Sequence, residues 1–377
     1  MIQPLQMQEP NPTSQEPGPG KRSFTSGAAL RPPAATAARD FFGEPFRPLR
    51  ALRGGHAQTI AGNFLPRRNQ LPPAEERLFH VEPEVQVLCH CHWQPNRSGA
   101  MTLVIVHGLE GSSESGYVIG TGSKAWCAGM NVVRMNMRNC GNTESLGPTL
   151  YNSGMSDDVG AVAEALIAQE RLQKLALAGF SMGGNLVLKL LGEWGENAPP
   201  EVVAGIGVSP SMDLAASADA LHDRPNRVYE LKFLWGLRRR MQRKAALYPG
   251  VFDLRYLRGL RSLRDFDDQI TARYCGFLDA QDYYTRASAS NVLDRITVPT
   301  LIVHAADDPF IRILPATQKK LLHNPHIAYV ETEHGGHCAF LAEANGYDGR
   351  WAERQAIAFL QRVQRGGRAR DLPPISG

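Results

Sequence analysis

Gly179-Phe180-Ser181-Met182-Gly183 follows directly on the apolar run Leu175 to Ala178 and leads into a stretch of helical period beginning near Gly184. A serine at the centre of G-x-S-x-G, between a strand and a helix, sits on a turn so sharp that its hydroxyl stands clear of the sheet. Side chains two residues to either side would collide where strand and helix meet, and glycine removes them. Such a turn calls for a strand buried on both faces and a helix that packs back onto it. The rest of the chain meets that demand. Apolar runs at residues 102–106, 131–135, 174–178, 202–208, 300–304 and 327–331 alternate with segments of helical period and lack strict polar alternation. The expected fold class is therefore α/β, with a mostly parallel central sheet flanked by helices.

One interval breaks the alternation. From about residue 211 to about 298 no convincing strand occurs, yet aromatic and basic residues recur at helical spacings. A structureless loop of that length is out of keeping with a compact domain. The reading is a helical cap insertion, placed to roof over the carboxyl ends of the strands, where ligands bind in open α/β sheets. Residues 1–40 hold mainly Pro, Gln, Ser, Gly and Ala and cannot bury enough surface to offset chain entropy, so they read as a disordered tail. The folded domain is expected over 41–365, with a flexible tail at 366–377. Ser156 is positioned to cap a helix whose Val159, Val162, Ala163, Leu166 and Ile167 share one face.

A serine hydroxyl is a poor nucleophile at neutral pH and needs a base, an orienting carboxylate and oxyanion donors. The chain order Ser, acid, His that suits this turn is present. Asp307-Asp308-Pro309 lies at the tip of the strand ending near His304, and Glu333-His334-Gly335-Gly336-His337 follows the next strand. Asp308, farther from the strand end, fits the acid, with Asp307 as the fallback. His337, behind two glycines that let the loop curl, fits the base in preference to His334. The oxyanion hole combines the Met182 amide, directly after the nucleophile, with the Leu109 amide from the loop His107-Gly108-Leu109 that follows an earlier strand. Glu110 to Ser113 are expected to shape the pocket wall.

With these residues in place the chain resembles the YheT-like group of α/β-fold hydrolases, related to mammalian α/β-hydrolase-domain esterases and lipases. The resemblance runs from Phe41 to about Val363. Beyond the motifs above, it rests on Pro48-Leu49-Arg50, His56 to Ile60, Arg138-Asn139-Cys140-Gly141, Phe266-Asp267-Asp268, Asp282-Tyr283-Tyr284 and Ala306 to Phe310. It implies a serine hydrolase of carboxylic esters with Ser181, Asp308 and His337 as its triad. Asn139 stands where the group usually has glycine, and the N-terminal membrane anchor of the mammalian relatives is not seen. A lipase or acylglycerol hydrolase, an acyltransferase on the same triad, and a non-catalytic ligand- or partner-binding domain remain as alternatives.

Other chemistries find no footing. The forty-one basic and thirty-seven acidic side chains leave only +4, spread along the chain, which gives no electrostatic footprint for nucleic acid. No run of about 18 apolar residues predicts a membrane span and no signal peptide is recognisable, so the expected location is the cytoplasm, with six reduced cysteines. Cys89-His90-Cys91-His92 sits in a strand-like segment whose alternation sends sulfur and imidazole to opposite faces, so no metal site is expected. No nucleotide motif is present, and no cofactor is expected. Arg238-Arg239-Arg240, with Arg243 and Lys244, reads as the solvated face of a helix. The expected partner is a small ester with an apolar portion.

Overall fold

The protein is described here by a computed structural model covering residues 45–344 and 346–367. The predicted tail at 1–40 lies outside the described residues, as does nearly all of the one at 366–377. The strands are β1 (Glu75–Glu82), β2 (Val85–His92), β3 (Thr102–Val106), β4 (Asn131–Met135), β5 (Leu175–Phe180), β6 (Val202–Val208), β7 (Thr300–Ala305) and β8 (Ile327–Thr332). They form one eight-stranded sheet in the order β1-β2-β4-β3-β5-β6-β7-β8. β1 pairs antiparallel with β2 and β2 with β4, and every other pair is parallel. β1 had no clear signal in the sequence because Glu75, Glu76 and Arg77 open it and, of its eight residues, only Phe79 is buried.

The main helices are α1 (Gly55–Phe64), α2 (Gly116–Cys127), α3 (Ser156–Glu170), α4 (Met182–Trp194), α5 (Leu214–His222), α6 (Arg227–Leu247), α7 (Ala280–Ala287), α8 (Pro315–His323) and α9 (Trp351–Gln364). Side chains alternate across the sheet and build a core on each face. Val104, Val106, Leu175 and Leu177 pack with Val162 and Leu166 of α3 and Leu186 and Leu190 of α4. Leu103, Ile105, Ala176 and Ala178 pack with Val118 of α2 and Ala356 and Phe359 of α9. Cys89 and Cys91 join the first core, while His92 on the opposite face meets the Arg134 Nε at 3.2 Å.

Between β6 and β7 the described residues form α5, α6, a helical run from Leu263 to Cys275, and α7, with no strand among them. The middle of that run, Asp267–Ala272, is a π-helix. Three local expectations need correction. α4 begins at Met182, immediately after the serine, because the turn spends only one residue between strand and helix. Ser156 is the first residue of α3 and caps nothing; its hydroxyl donates to Glu193 at 2.6 Å. The basic run of α6 is not wholly solvated. Arg240 is buried against Glu110 (3.1 Å) and Cys140, and Lys244 is buried against the Glu144 carbonyl. A helix that crosses a loop-rich surface must satisfy exposed carbonyls below it, and long cationic stems reach them.

Candidate active site

The sheet places the candidate residues before any side chain is considered. β3 connects to β4 on one side and β5 lies on the other, so the strand order reverses between β3 and β5. Loops leaving the carboxyl ends of two such strands diverge and leave a crevice. The two loops here are His107–Leu109 and the Ser181 turn.

Ser181 holds φ 54 and ψ −119, a conformation that costs an L-residue on the order of 1–3 kcal/mol. Backbone hydrogen bonds keep it there. Its amide donates to Val208 at 2.9 Å, and its carbonyl accepts from Asn185 at 3.1 Å and Ser211 at 3.3 Å. The flanking glycines are required by close approach: a β-carbon on Gly179 would lie 2.1 Å from the Gly183 carbonyl oxygen, and one on Gly183 would lie 2.4 Å from the His107 carbonyl oxygen.

The Leu109 loop is fixed from several directions. The Gly108 amide donates to the Tyr117 hydroxyl at 2.9 Å, and His107 Nε2 accepts the Met137 amide at 3.1 Å. Burial holds the His107 imidazole down at about 4, so it stays neutral and can accept. Glu110 accepts the Tyr151 hydroxyl at 2.9 Å and pairs with Arg240, which ties the helical insertion to this loop. Leu109 and Met182 line the same cleft as Ser181. Asn139, in place of the usual glycine, adopts φ 62, and its side chain donates to Thr149. Asn tolerates the left-handed region better than most residues, which explains the exchange.

Asp308 and His337 meet at the ends of β7 and β8. His337 Nδ1 lies 2.8 Å from Asp308 Oδ2, and the other carboxylate oxygen accepts the Phe310 and Ile311 amides at 3.1 and 3.0 Å. The Asp308 side chain is 0% exposed. Burial alone would raise its pKa; the charge and hydrogen bond of His337 and the Phe310 amide outweigh that and hold it below the usual carboxylate range. Asp307 points elsewhere, accepting the Gly336 amide at 2.8 Å and facing His334 Nδ1 at 3.3 Å. The two aspartates are thus separated by geometry, Asp308 to His337 and Asp307 to the loop that carries it.

The His337 ring centre lies 4.2 Å from that of Phe310, the two planes tilted by 51°, and Phe310 lines the Ser181 cleft. Its backbone amide donates to Thr59 Oγ1 of α1 at 2.8 Å, and Gln58 brackets the far end of the same loop through both the amide and the carbonyl of Leu341. Gly336 has φ 58, and a β-carbon there would lie 2.4 Å from the Gly55 carbonyl oxygen. Nothing local in His56 to Ile60 signals this role of α1, although the segment belongs to the resemblance. Two partners 278 residues apart leave no local signal.

The structure does not join every predicted pair. Among the described residues the Ser181 hydroxyl makes no hydrogen bond to His337; the Nε2 atom lies 3.7 Å from Cys338 Sγ instead. Burial alone would lower the His337 pKa, but the Cys338 sulfur and Asp308 raise it above the ordinary histidine value. His334 is a third exposed, and its Nδ1 faces Asp307.

The cleft encloses about 760 Å³, counting its solvent-open mouth. Leu214, Leu221, Phe233, Leu237, Leu263 and Phe266 of the insertion give it apolar walls.

The α/β hydrolase fold family matches residues 102–344. The YheT protein of Escherichia coli (strain K12), which is named as an esterase, is 34% identical over 322 residues, 84% of this chain and 92% of its own length. The monoacylglycerol lipase of Saccharomyces cerevisiae (strain ATCC 204508 / S288c) is 29% identical over 69% of this chain and 58% of its own length. Among solved structures, the 2,6-dihydroxy-pseudo-oxynicotine hydrolase superposes with a TM-score of 0.52 at 17% identity, over 83% of this chain and 73% of that one. That last likeness concerns the fold alone.

Proposed function

The chain belongs to the α/β hydrolase fold family, among the YheT-like proteins, and from that premise we propose that it is a serine hydrolase cleaving carboxylic esters through Ser181, His337 and Asp308. Ser181 attacks the ester carbonyl, His337 takes the hydroxyl proton and returns it to the leaving alkoxide, and Asp308 holds the imidazole in the tautomer whose Nε2 can accept. The Met182 and Leu109 amides stabilise the oxyanion. Water, deprotonated by the same histidine, then releases the acid from the acyl-enzyme.

The observation that carries the reading is the 2.8 Å contact between Asp308 and His337, whose neighbour Phe310 lines the same cleft as the strained Ser181. The imidazole must turn from Cys338 toward Ser181 during turnover, and catalytic hydrogen bonds commonly tighten only when substrate is bound. The esterase and lipase names among the relatives agree with this chemistry. The test is hydrolysis of an activated aryl ester together with fluorophosphonate labelling. Ser181→Ala should abolish both while the protein keeps its fold by circular dichroism; unchanged turnover removes Ser181 from the mechanism.

A second reading, a lipase acting at an interface, draws on Val228 (76% exposed), Leu231 and Trp235 standing out on α6. No helix among the described residues is long and apolar enough to cross a membrane, so contact with lipid would be through such a surface. A rise of kcat/KM toward long acyl chains that depends on dispersed substrate favours this reading, and a maximum at short chains favours the esterase.

A further inference from the structure

The cleft beside Ser181 carries polar side chains that the triad chemistry does not use. Asp267 opens the π-helix and contributes to the cleft wall. Its Oδ1 accepts the Thr271 hydroxyl and its Oδ2 the Tyr284 hydroxyl, each at 2.7 Å. A carboxylate offers about four acceptor sites, so roughly two are left over. Burial raises Asp267 to about 6, which leaves it largely ionised at neutral pH with its accepting capacity only half used. A second residue shares this incompleteness. Ser217 of α5 also lines the cleft, is only 5% exposed, and its hydroxyl has no hydrogen-bond partner. Buried polar groups are rarely left unsatisfied, so the Ser217 hydroxyl, on the same cavity as a carboxylate with acceptor sites to spare, points to a group that arrives with the ligand.

The chemistry of that group follows from its surroundings. It must donate to Asp267 and be able to pair with a hydroxyl. A cation is disfavoured because the Arg264 guanidinium already sits 5.0 Å from the ring centre of Tyr284, the residue that bonds Asp267, and supplies positive charge there. A neutral hydroxyl fits both residues. Which half of the ester carries it follows from the catalytic geometry. The leaving oxygen must receive its proton from His337, so the alcohol lies on the His337 side. Phe310, whose ring centre lies 4.2 Å from that of His337, lines the cleft on that side, which leaves the acyl chain to the part walled by α5 and the run from Leu263 to Cys275, where Ser217 and Asp267 lie.

Resting on the esterase reading, we propose that Asp267 and Ser217 form an acyl-side subsite for a hydroxyl group, and that the preferred substrates are esters of hydroxy-substituted aliphatic acids. The π-helix at Asp267 is consistent with this, since such irregular turns recur at functional sites. It turns Asp267 to the cleft while Phe266, its neighbour, supplies apolar wall.

The test compares aryl esters of unbranched acids with and without a terminal hydroxyl, across a series of chain lengths, in wild type, Asp267→Asn and Ser217→Ala. The readout is the ratio of kcat/KM for the hydroxylated and plain ester of each length, which is insensitive to the fraction of protein folded. Wild type should show a maximum in that ratio at one length, and Asp267→Asn should lower it about tenfold there. Ser217→Ala, which breaks no hydrogen bond within the protein, should lower it in the same direction. A ratio that is the same in all three proteins at every length overturns the subsite but leaves the esterase standing. A matched ammonium-bearing ester whose ratio depends on Asp267 more strongly than the hydroxyl ester overturns the choice of group. Failure of wild type to cleave either series removes the esterase reading and the subsite with it.

Discussion

Replacing Asp308 by Asn probes the orientation of the proposed base more sharply than removing the side chain. The Oδ1 atom of Asp308 accepts two backbone amides, from Phe310 and Ile311, and the Oδ2 atom faces His337 Nδ1. An asparagine must keep its carbonyl oxygen toward the two amides, because an NH2 group there would set donor against donor. Its NH2 group then faces Nδ1 and makes that nitrogen the acceptor. The imidazole proton moves to Nε2, and a protonated Nε2 cannot take the proton of Ser181. Steady-state kinetics on an aryl ester should therefore show a loss in kcat of about ten-thousandfold, about 5.4 kcal/mol of transition-state stabilisation. KM should change little. Asp307→Asn provides the comparison, since Asp307 meets the Gly336 amide and His334 but not His337; its loss should stay below about tenfold, in keeping with one weakened loop hydrogen bond. A loss under tenfold for Asp308→Asn, or equal losses for both variants, refutes the reasoning.

Two further outcomes follow from the same geometry. Removing the sulfur beside Nε2 with Cys338→Ala takes away part of what raises the His337 pKa; because the proposed mechanism uses His337 as a base in its neutral form, the acid limb of the kcat/KM profile should move to lower pH. An unmoved acid limb means that the sulfur has no hold on the imidazole. Gly179→Ala would place a methyl 2.1 Å from the Gly183 carbonyl oxygen, so strand and helix must separate, and urea unfolding should show a loss of about 3 kcal/mol or more. A stability unchanged within error would mean that the turn can open without strain.

Much of this protein is legible along the chain because its cause is local. The turn at Ser181 announces itself through glycines at 179 and 183, since the contact that excludes a β-carbon at 179 is with the backbone of 183, four residues on. The parallel strands show as apolar runs, since both faces are buried, whereas β1 is hidden by its charged, largely exposed residues. The order of Ser181, Asp308 and His337 was likewise available, as was the helical character of the interval between β6 and β7. What the chain order left open was which aspartate meets the histidine. Only the packed loops separate the two, sending Asp308 to His337 and Asp307 to the Gly336 amide. Tertiary structure alone brought Thr59 under the His337 amide, turned Arg240 inward to Glu110, and set Cys338 Sγ next to Nε2 where Ser181 had been expected. It alone put Asp267 and Ser217 on one cleft. The reason is physical: a turn is fixed by sterics among neighbours, whereas a hydrogen bond between residues hundreds of positions apart exists only once the sheet has fixed where each loop begins.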